Sequence, residues 1–260
     1  MGEHEVPTNS SDSAGFPWQG RSFEQHSEDF AGDIGLTPPE LADVIARFQA
    51  GKATHQEVAD IFSSARVLIP LLTVAGEVGE TPDGRIVDKT QELSIVTVQA
   101  PDGRNVLPVF SSVEAMKHWN PDARPVPNYG RTAALAALND GNELLILDPT
   151  HPNTEFGFRR PILWAIANGE ARVPCWRDDE VLSEFERSIQ NEEAVRSVTL
   201  DCGDREARLV SPELIVLLEL EAGLNQAQLA QLLERLQARW AASQTIAERV
   251  DSMTVRVTAA

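Results

Sequence analysis

Along the chain, apolar positions first fall into a helical rhythm. Leu41, Val44, Ile45 and Phe48 form one stripe, and Val58, Ile61, Phe62 and Ala65 form a second. Recurrence at this spacing predicts two amphipathic helices. Each has a start signal: Thr37-Pro38-Pro39-Glu40 reads as a capping box with proline at the first helical position, and Thr54 with Glu57 repeats the box. The rhythm then gives way to residues 66–74, a continuous apolar stretch containing Pro70. Proline has no N–H to give to a ladder, so this strand is expected at a sheet edge, or bulged.

The stretch Glu92 to Trp119 specifies most of its own structure. Residues up to Val98 alternate as a strand, Val106 to Phe110 form another, and Pro101-Asp102-Gly103 supplies the turn of a hairpin. Ser111 followed by Glu114 reads as a capping box, opening a short helix that carries Val113, Met116 and Trp119. Asn120 to Asn128 contains Pro121, Pro125 and Pro127 and is expected to wrap the surface as a stiff loop, since these exclude regular helix or a central strand. An alanine-rich helix follows from Tyr129 to Asn139. A strand from Glu143 to Leu147 is stopped by Asp148-Pro149, and Pro161 opens a helix closed by Asn168-Gly169.

Further along, Asp178 can cap a helix bearing Val181, Leu182, Phe185 and Ile189. Val198, Leu200 and Cys202 before Gly203-Asp204, with Ala207 and Leu209 after it, predict a second hairpin. Leu214 to Leu220 reads as a buried strand, Asn225 as the cap of a helix with Leu229, Leu232, Leu233, Leu236 and Trp240, and Met253, Val255 and Val257 as a last strand. The fold class is α+β. Two mixed α/β domains, residues 34–173 and 174–260, are expected to pack mostly antiparallel sheets against helices. Residues 1–33 are acidic, carry Phe16, Trp18, Phe23 and Phe30 at no regular period, and are expected to be disordered.

Composition narrows the partners. Forty acidic against 22 basic residues give a formal charge of −18, which repels phosphate backbones and anionic lipid at long range. Non-specific nucleic-acid binding is therefore disfavoured. Cys175 and Cys202 stand apart with no CxxC or Cys/His cluster, implying neither a disulfide framework nor a metal site, and a cytoplasmic location is expected. The acidic start, with Glu3, His4 and Glu5, does not read as a secretory leader, and the densest apolar run, Leu214 to Leu220, is too short to span a membrane.

Chemistry is sparse. No nucleophile elbow, phosphate-binding glycine loop, dinucleotide fingerprint or HExxH is present, so no catalytic residue, metal or cofactor is assigned. His4, His26 and His55 read as solvated side chains. The best polar candidates are His118-Trp119-Asn120 and Asp148 with His151, each set where an element ends and a loop begins. The competing reading makes His118 an exposed helix residue and Asp148 a turn former. Cys175 reads as structural, although Arg177 close by could favour a thiolate. Arg159 and Arg160, with Arg172 and Arg177 further on, are the one basic concentration. They could hold a carboxylate or phosphate through charge-assisted hydrogen bonds, or pair internally with the abundant acids.

The ordered set FSSARVLIPLLT (62–73), LPVFSSVEAMKHW (107–119) and LLILDPT (144–150) resembles the SseB family, the enhanced serine sensitivity proteins. In the third segment Asp148 stands where the family commonly has asparagine. The resemblance covers residues 37–173 as the family's N-terminal domain, and residues 178–258 are similar in layout to its second domain. It implies a bacterial cytoplasmic protein without a defined active site. The expectation is a non-enzymatic interaction or regulatory protein that binds a protein partner through a groove or sheet edge. Two alternatives stand beside it: a small-anion sensor using Arg159 and Arg160, and an enzyme using His118, Asp148 and His151.

Overall fold

A computed structural model describes residues 29–74, 79–80, 86–87, 92–171 and 173–259. The aromatics Phe16, Trp18 and Phe23, together with His4, His26, Arg172 and the turn at Thr81–Gly84, lie outside the described residues. The described residues fall into two units: 29–34, a short turn closed by the Asp33 N–H on the Phe30 carbonyl, and the residues from Gly35 onward. The chain is α+β. The second unit begins with α1 (Pro39–Gln49) and α2 (His55–Ser64) and runs directly into β1 (Arg66–Val74). Thr54 and Glu57 make the reciprocal capping box at the start of α2. Thr37 does not cap α1. Pro38 takes the cap position without a side-chain bond, and the Thr37 hydroxyl meets Ser111 instead at 3.1 Å.

β1 is the middle strand of its sheet, not an edge. It lies between β4 (Glu92–Ile95) and β7 (Arg124–Tyr129), both antiparallel. Its apolar run is continuous because both faces are buried: Val67 and Ile69 enter the main core, and Leu68 enters a smaller cluster with Phe110, Met116 and Ala123. Pro70 is tolerated there by parity. Leu68 exchanges both backbone hydrogen bonds with Phe110 (2.8 and 2.9 Å), so even-numbered positions of β1 direct their amides away from β7. The β4 register starts only at Leu71, leaving the Pro70 nitrogen facing no ladder partner.

The same parity makes residues 124–129 a strand where a loop is expected. Pro125 and Pro127 stand opposite Pro70 and Leu68, positions that do not bond across the β1–β7 ladder. Their missing donors face the outer edge. The hairpin of 92–110 also divides. β4 joins β1, whereas β5 (Val98–Gln99) pairs with β6 (Asn105–Val109) around a turn in which Gly103 takes φ +86°. A further two-stranded pair joins β2 (Gly79–Glu80) to β3 (Ile86–Val87).

From β6 the chain passes through α3 (Val113–Trp119), β7 and α4 (Gly130–Asn139) to β8 (Leu144–Leu147), which lies parallel to β6. β9 (Phe156–Phe158) closes that sheet and α5 (Arg160–Asn168) follows, ending at Gly169 with φ +71°. The main core lies between α1, α2, α4 and α5 and the shared faces of β1, β6, β8 and β9. Gly130 is obligatory where α4 starts, since a Cβ there would come within 1.9 Å of the Phe62 carbonyl oxygen.

A short 3₁₀ turn, Cys175–Arg177, leads into α6 (Asp179–Ile189), capped by Asp178. β10 (Val195–Cys202) pairs antiparallel with β11 (Leu214–Leu220). α7 (Gln226–Ala241) and α8 (Gln244–Arg249) then carry the chain to β12 (Met253–Ala259), parallel to β11. The expected hairpin at Gly203-Asp204 is absent: β10 turns to β11 through residues 203–213, in which Ala207 and Leu209 take positive φ. Both are buried. Ala207 joins the main core, and Leu209 fills the space left by the missing side chain of Gly157. A second core, built from Val181, Phe185, Leu214, Val216, Leu236 and Trp240 among others, holds α6 to α8 on the three-stranded sheet.

Candidate functional site

Asp148 is a clasp. It follows β8 in a left-handed conformation (φ +46°) and is 1% exposed. One carboxylate oxygen accepts the Ser111 backbone N–H at 2.7 Å and the other accepts the Ser111 hydroxyl at 2.6 Å. Ser111 is free for this because the cap of α3 is Ser112, whose hydroxyl accepts from the Ala115 N–H at 3.1 Å, one residue later than the sequence pattern suggests. The Arg66 guanidinium donates to the Ser111 carbonyl at 2.7 Å. Together these bonds tie the ends of the parallel strands β6 and β8.

The other residues nominated with Asp148 do not gather around it. His118 is exposed, Trp119 packs on Phe110 with ring centroids 5.2 Å apart, and the Asn120 side chain accepts from the Asp122 N–H at 2.9 Å. His151 gives its backbone N–H to the Asp148 carbonyl, but its imidazole Nδ1 faces the Thr154 hydroxyl at 2.8 Å.

Arg159 and Arg160 part company. Arg160 is exposed, beside Trp164 in an open hollow of about 390 Å³. Arg159 precedes α5, is 7% exposed, and has its guanidinium shared among internal acceptors. One amino group donates to Asp204 at 2.6 Å and to the Ser211 carbonyl at 2.6 Å; the other donates to Asp251 at 3.0 Å and to the Ser252 hydroxyl at 3.1 Å. Arg104, from the β5–β6 turn, holds the second oxygen of Asp251 at 2.7 Å. Glu213 completes the group. It is 4% exposed and accepts the Asp251 backbone N–H at 2.7 Å, and burial, reinforced by the charge of Asp251, pushes its carboxyl up to about 7. With Glu213 protonated, two guanidinium groups face two carboxylates and the buried charge balances.

Cys175 hydrogen-bonds Glu213, and burial, then that neighbouring charge, drives its thiol well above the ordinary range. Arg177 therefore does not activate it. The acids that occupy Arg159 come from positions 45 and 92 residues downstream, a separation at which no local sequence signal exists.

His55 is not a solvated side chain. It is half-buried, edge-on to Phe48 and to Trp176 (centroids 4.7 and 5.0 Å), with its Nε2 3.4 Å from the Asp204 carbonyl. Burial holds its imidazole below the ordinary value, hence neutral near pH 7. On its inner side lies a small pocket of about 30 Å³ against Arg159, Asp204 and Glu213, enough for one or two waters. On its outer side opens a groove of about 730 Å³. The loop between α1 and α2 forms one wall of that groove, and Val173 to Arg177 with the end of β10 forms the other.

Five charged side chains border the groove. Glu57 is turned into its own capping box and onto Arg47 at 3.3 Å, and Asp201 pairs with Arg205 at 2.7 Å. Lys52 and Arg177 have no carboxylate partner among the described residues. The pattern of positions 48, 52 and 55 reads in sequence only as a helix end and a cap. Trp176-Arg177 draws attention there only through its neighbour Cys175.

Residues 41–165 match the family model for the SseB protein N-terminal domain. The likeness of residues 178–258 to a second domain is not part of that match. No curated protein and no solved structure matches the chain. The matched region supplies Phe48, Lys52 and His55 to the groove, while Trp176, Arg177 and Arg205 lie beyond it.

Proposed function

The chain belongs to the SseB family through its N-terminal domain at residues 41–165, and on that premise we propose that it acts by binding a protein partner in the groove beside His55, without catalysis. The observation that carries this reading is the groove itself: an open cleft of about 730 Å³ with an aromatic floor of Phe48, His55 and Trp176 and two cations, Lys52 and Arg177, that have no carboxylate partner among the described residues. Aromatic and arginine side chains lining a concavity are the usual anchors of a protein interface, and here the three rings are half-buried while Arg177 is exposed.

Support also comes from what is already engaged. Asp148 is committed to Ser111, Arg159 to Asp204 and Asp251, and Cys175 is buried as a thiol. These commitments weaken the enzyme and anion-sensor readings. The sheet-edge route is disfavoured at β7, where Pro125 and Pro127 present no donors to an incoming strand. Among the described residues no helix is long and apolar enough to cross a membrane, and no group of three potential metal ligands gathers. A cytoplasmic setting suits the two buried, unpaired cysteines.

The test is a capture experiment with a blocked groove. Val173 is 50% exposed on the groove wall, and both native cysteines are buried, so Val173→Cys can be labelled selectively with a bulky neutral maleimide. A stoichiometric partner retained from native lysate by the unlabelled protein, and lost on labelling, is the expected result. Retention by the labelled protein, or no stoichiometric partner at all, refutes the proposal.

A further inference from the structure

The electrostatics of the groove go a step further and identify the chemistry of what it holds, resting on the reading that the groove is the binding site. We propose that the partner presents an acidic segment, with carboxylates flanking an apolar side chain that seats on Trp176 and Phe48.

Charge complementarity carries this. The chain has 18 more formal negative than positive charges, and its 40 acidic side chains are ample to neutralise every cation on its surface. Yet Lys52 on one wall and Arg177 on the other are left without a carboxylate among the described residues, and both are exposed. The two acids on the groove border do not offset them. Glu57 accepts from the Thr54 N–H at 2.7 Å and the Thr54 hydroxyl at 3.0 Å, in addition to Arg47, and Asp201 is taken by Arg205. The groove is thus a positive trough in a negative surface. A surrounding field of the opposite sign disfavours a long polyanion, because each further phosphate would meet the acidic surface beyond the trough. A short acidic peptide reaches the two cations without extending across the rest.

The floor supplies the second half of the match. Phe48, His55 and Trp176 meet edge to face, and the neutral imidazole between the phenyl and indole rings adds no charge to the floor. An apolar anchor can lie against these rings while carboxylates on either side reach Lys52 and Arg177. The Asp201–Arg205 pair is highly exposed (side chains 43% and 73%), so Arg205 can exchange its internal partner for an external one at little cost.

The experiment selects from a phage-displayed library of random dodecapeptides on the immobilised full chain, with the maleimide-blocked Val173→Cys protein as the counter-selection. Expected are peptides of net negative charge with a central apolar or aromatic residue. Lys52→Glu combined with Arg177→Glu should weaken the best synthetic peptide at least about tenfold, and raising salt from about 50 to about 300 mM should weaken wild-type binding in the same direction. Lys52→Gln with Arg177→Gln should fall between. All these positions are exposed, so an unchanged melting temperature verifies the fold of each variant. Enrichment of neutral or basic peptides that the label displaces would leave the groove as the site and overturn its acidic specificity. Peptides that ignore the label, or no enrichment, would overturn both. Tighter binding of a single-stranded oligonucleotide than of any selected peptide would also overturn the inference.

Discussion

Replacing Glu213 by glutamine isolates one buried ionisation from the network around it. The carboxyl has an ordinary value of 4.5 and stands at about 7 in the fold. Two and a half pH units, each worth a little over 1 kcal/mol, correspond to about 3 kcal/mol. At 4% exposure, screening by solvent takes little from that figure. The folded value lies above the unfolded one, so between about pH 4.5 and 7 the folded protein holds the proton more tightly than the unfolded chain does. The stabilisation linked to this proton is complete below pH 4.5 and is lost as pH rises through about 7. Glutamine is neutral throughout and keeps an oxygen to accept the Asp251 N–H. The bonds among Arg159, Asp204 and Asp251 occur in both proteins and cancel in the difference, whereas the action of the Asp251 and Arg159 charges on Glu213 is part of the shift itself. Urea denaturation followed by tryptophan fluorescence should therefore find Glu213→Gln within about 1 kcal/mol of wild type near pH 5, and up to about 3 kcal/mol more stable near pH 9. A difference that stays constant with pH, or that favours wild type as pH rises, refutes the reasoning.

Arg159→Met should cost about 3–5 kcal/mol in the same assay, because it leaves Asp204 and one oxygen of Asp251 buried without their cation. Asp148→Ala should cost about 3 kcal/mol by removing both acceptors of Ser111, whereas Asp148→Asn, which keeps an acceptor and tolerates left-handed backbone, should cost no more than about 1 kcal/mol. Gly130→Ala should lower the melting temperature sharply or prevent folding, since the Phe62 carbonyl cannot move aside without unlocking α2; Gly32→Ala, with nothing near its Cβ, serves as the neutral control.

Much of the fold was legible because its signals are local. The Thr54 box, the proline that opens α5, Gly169 after α5 and the Asn225 cap all concern groups within a few residues of one another. Two cap assignments missed for a common reason. Thr37 and Ser111 have the right residue types and spacing, but their hydroxyls meet each other across 74 positions, and Ser111 meets Asp148 across 37. A hydroxyl with a tertiary partner is lost to the helix start, and Ser112 takes over. Proline acts in the opposite direction: Pro70, Pro125 and Pro127 read as ladder breakers, yet only the alternate amides of a strand belong to a given ladder. The candidate site was least legible. Its aromatic floor joins a residue of α1 to one 128 positions on, by way of His55, and its balance of charge depends on which acids are already paired. Sequence shows the acids but not their occupancy.

The proline parity of β7 restricts how this strand can be edited. Pro125 and Pro127 are harmless only while both stand opposite even-numbered positions of β1. Inserting or deleting one residue between Tyr129 and either proline would turn that ring into the ladder, whereas a two-residue change would preserve its orientation. Length variation here should therefore be counted in pairs: the segment behaves as a reading frame of two, with the prolines as its marks.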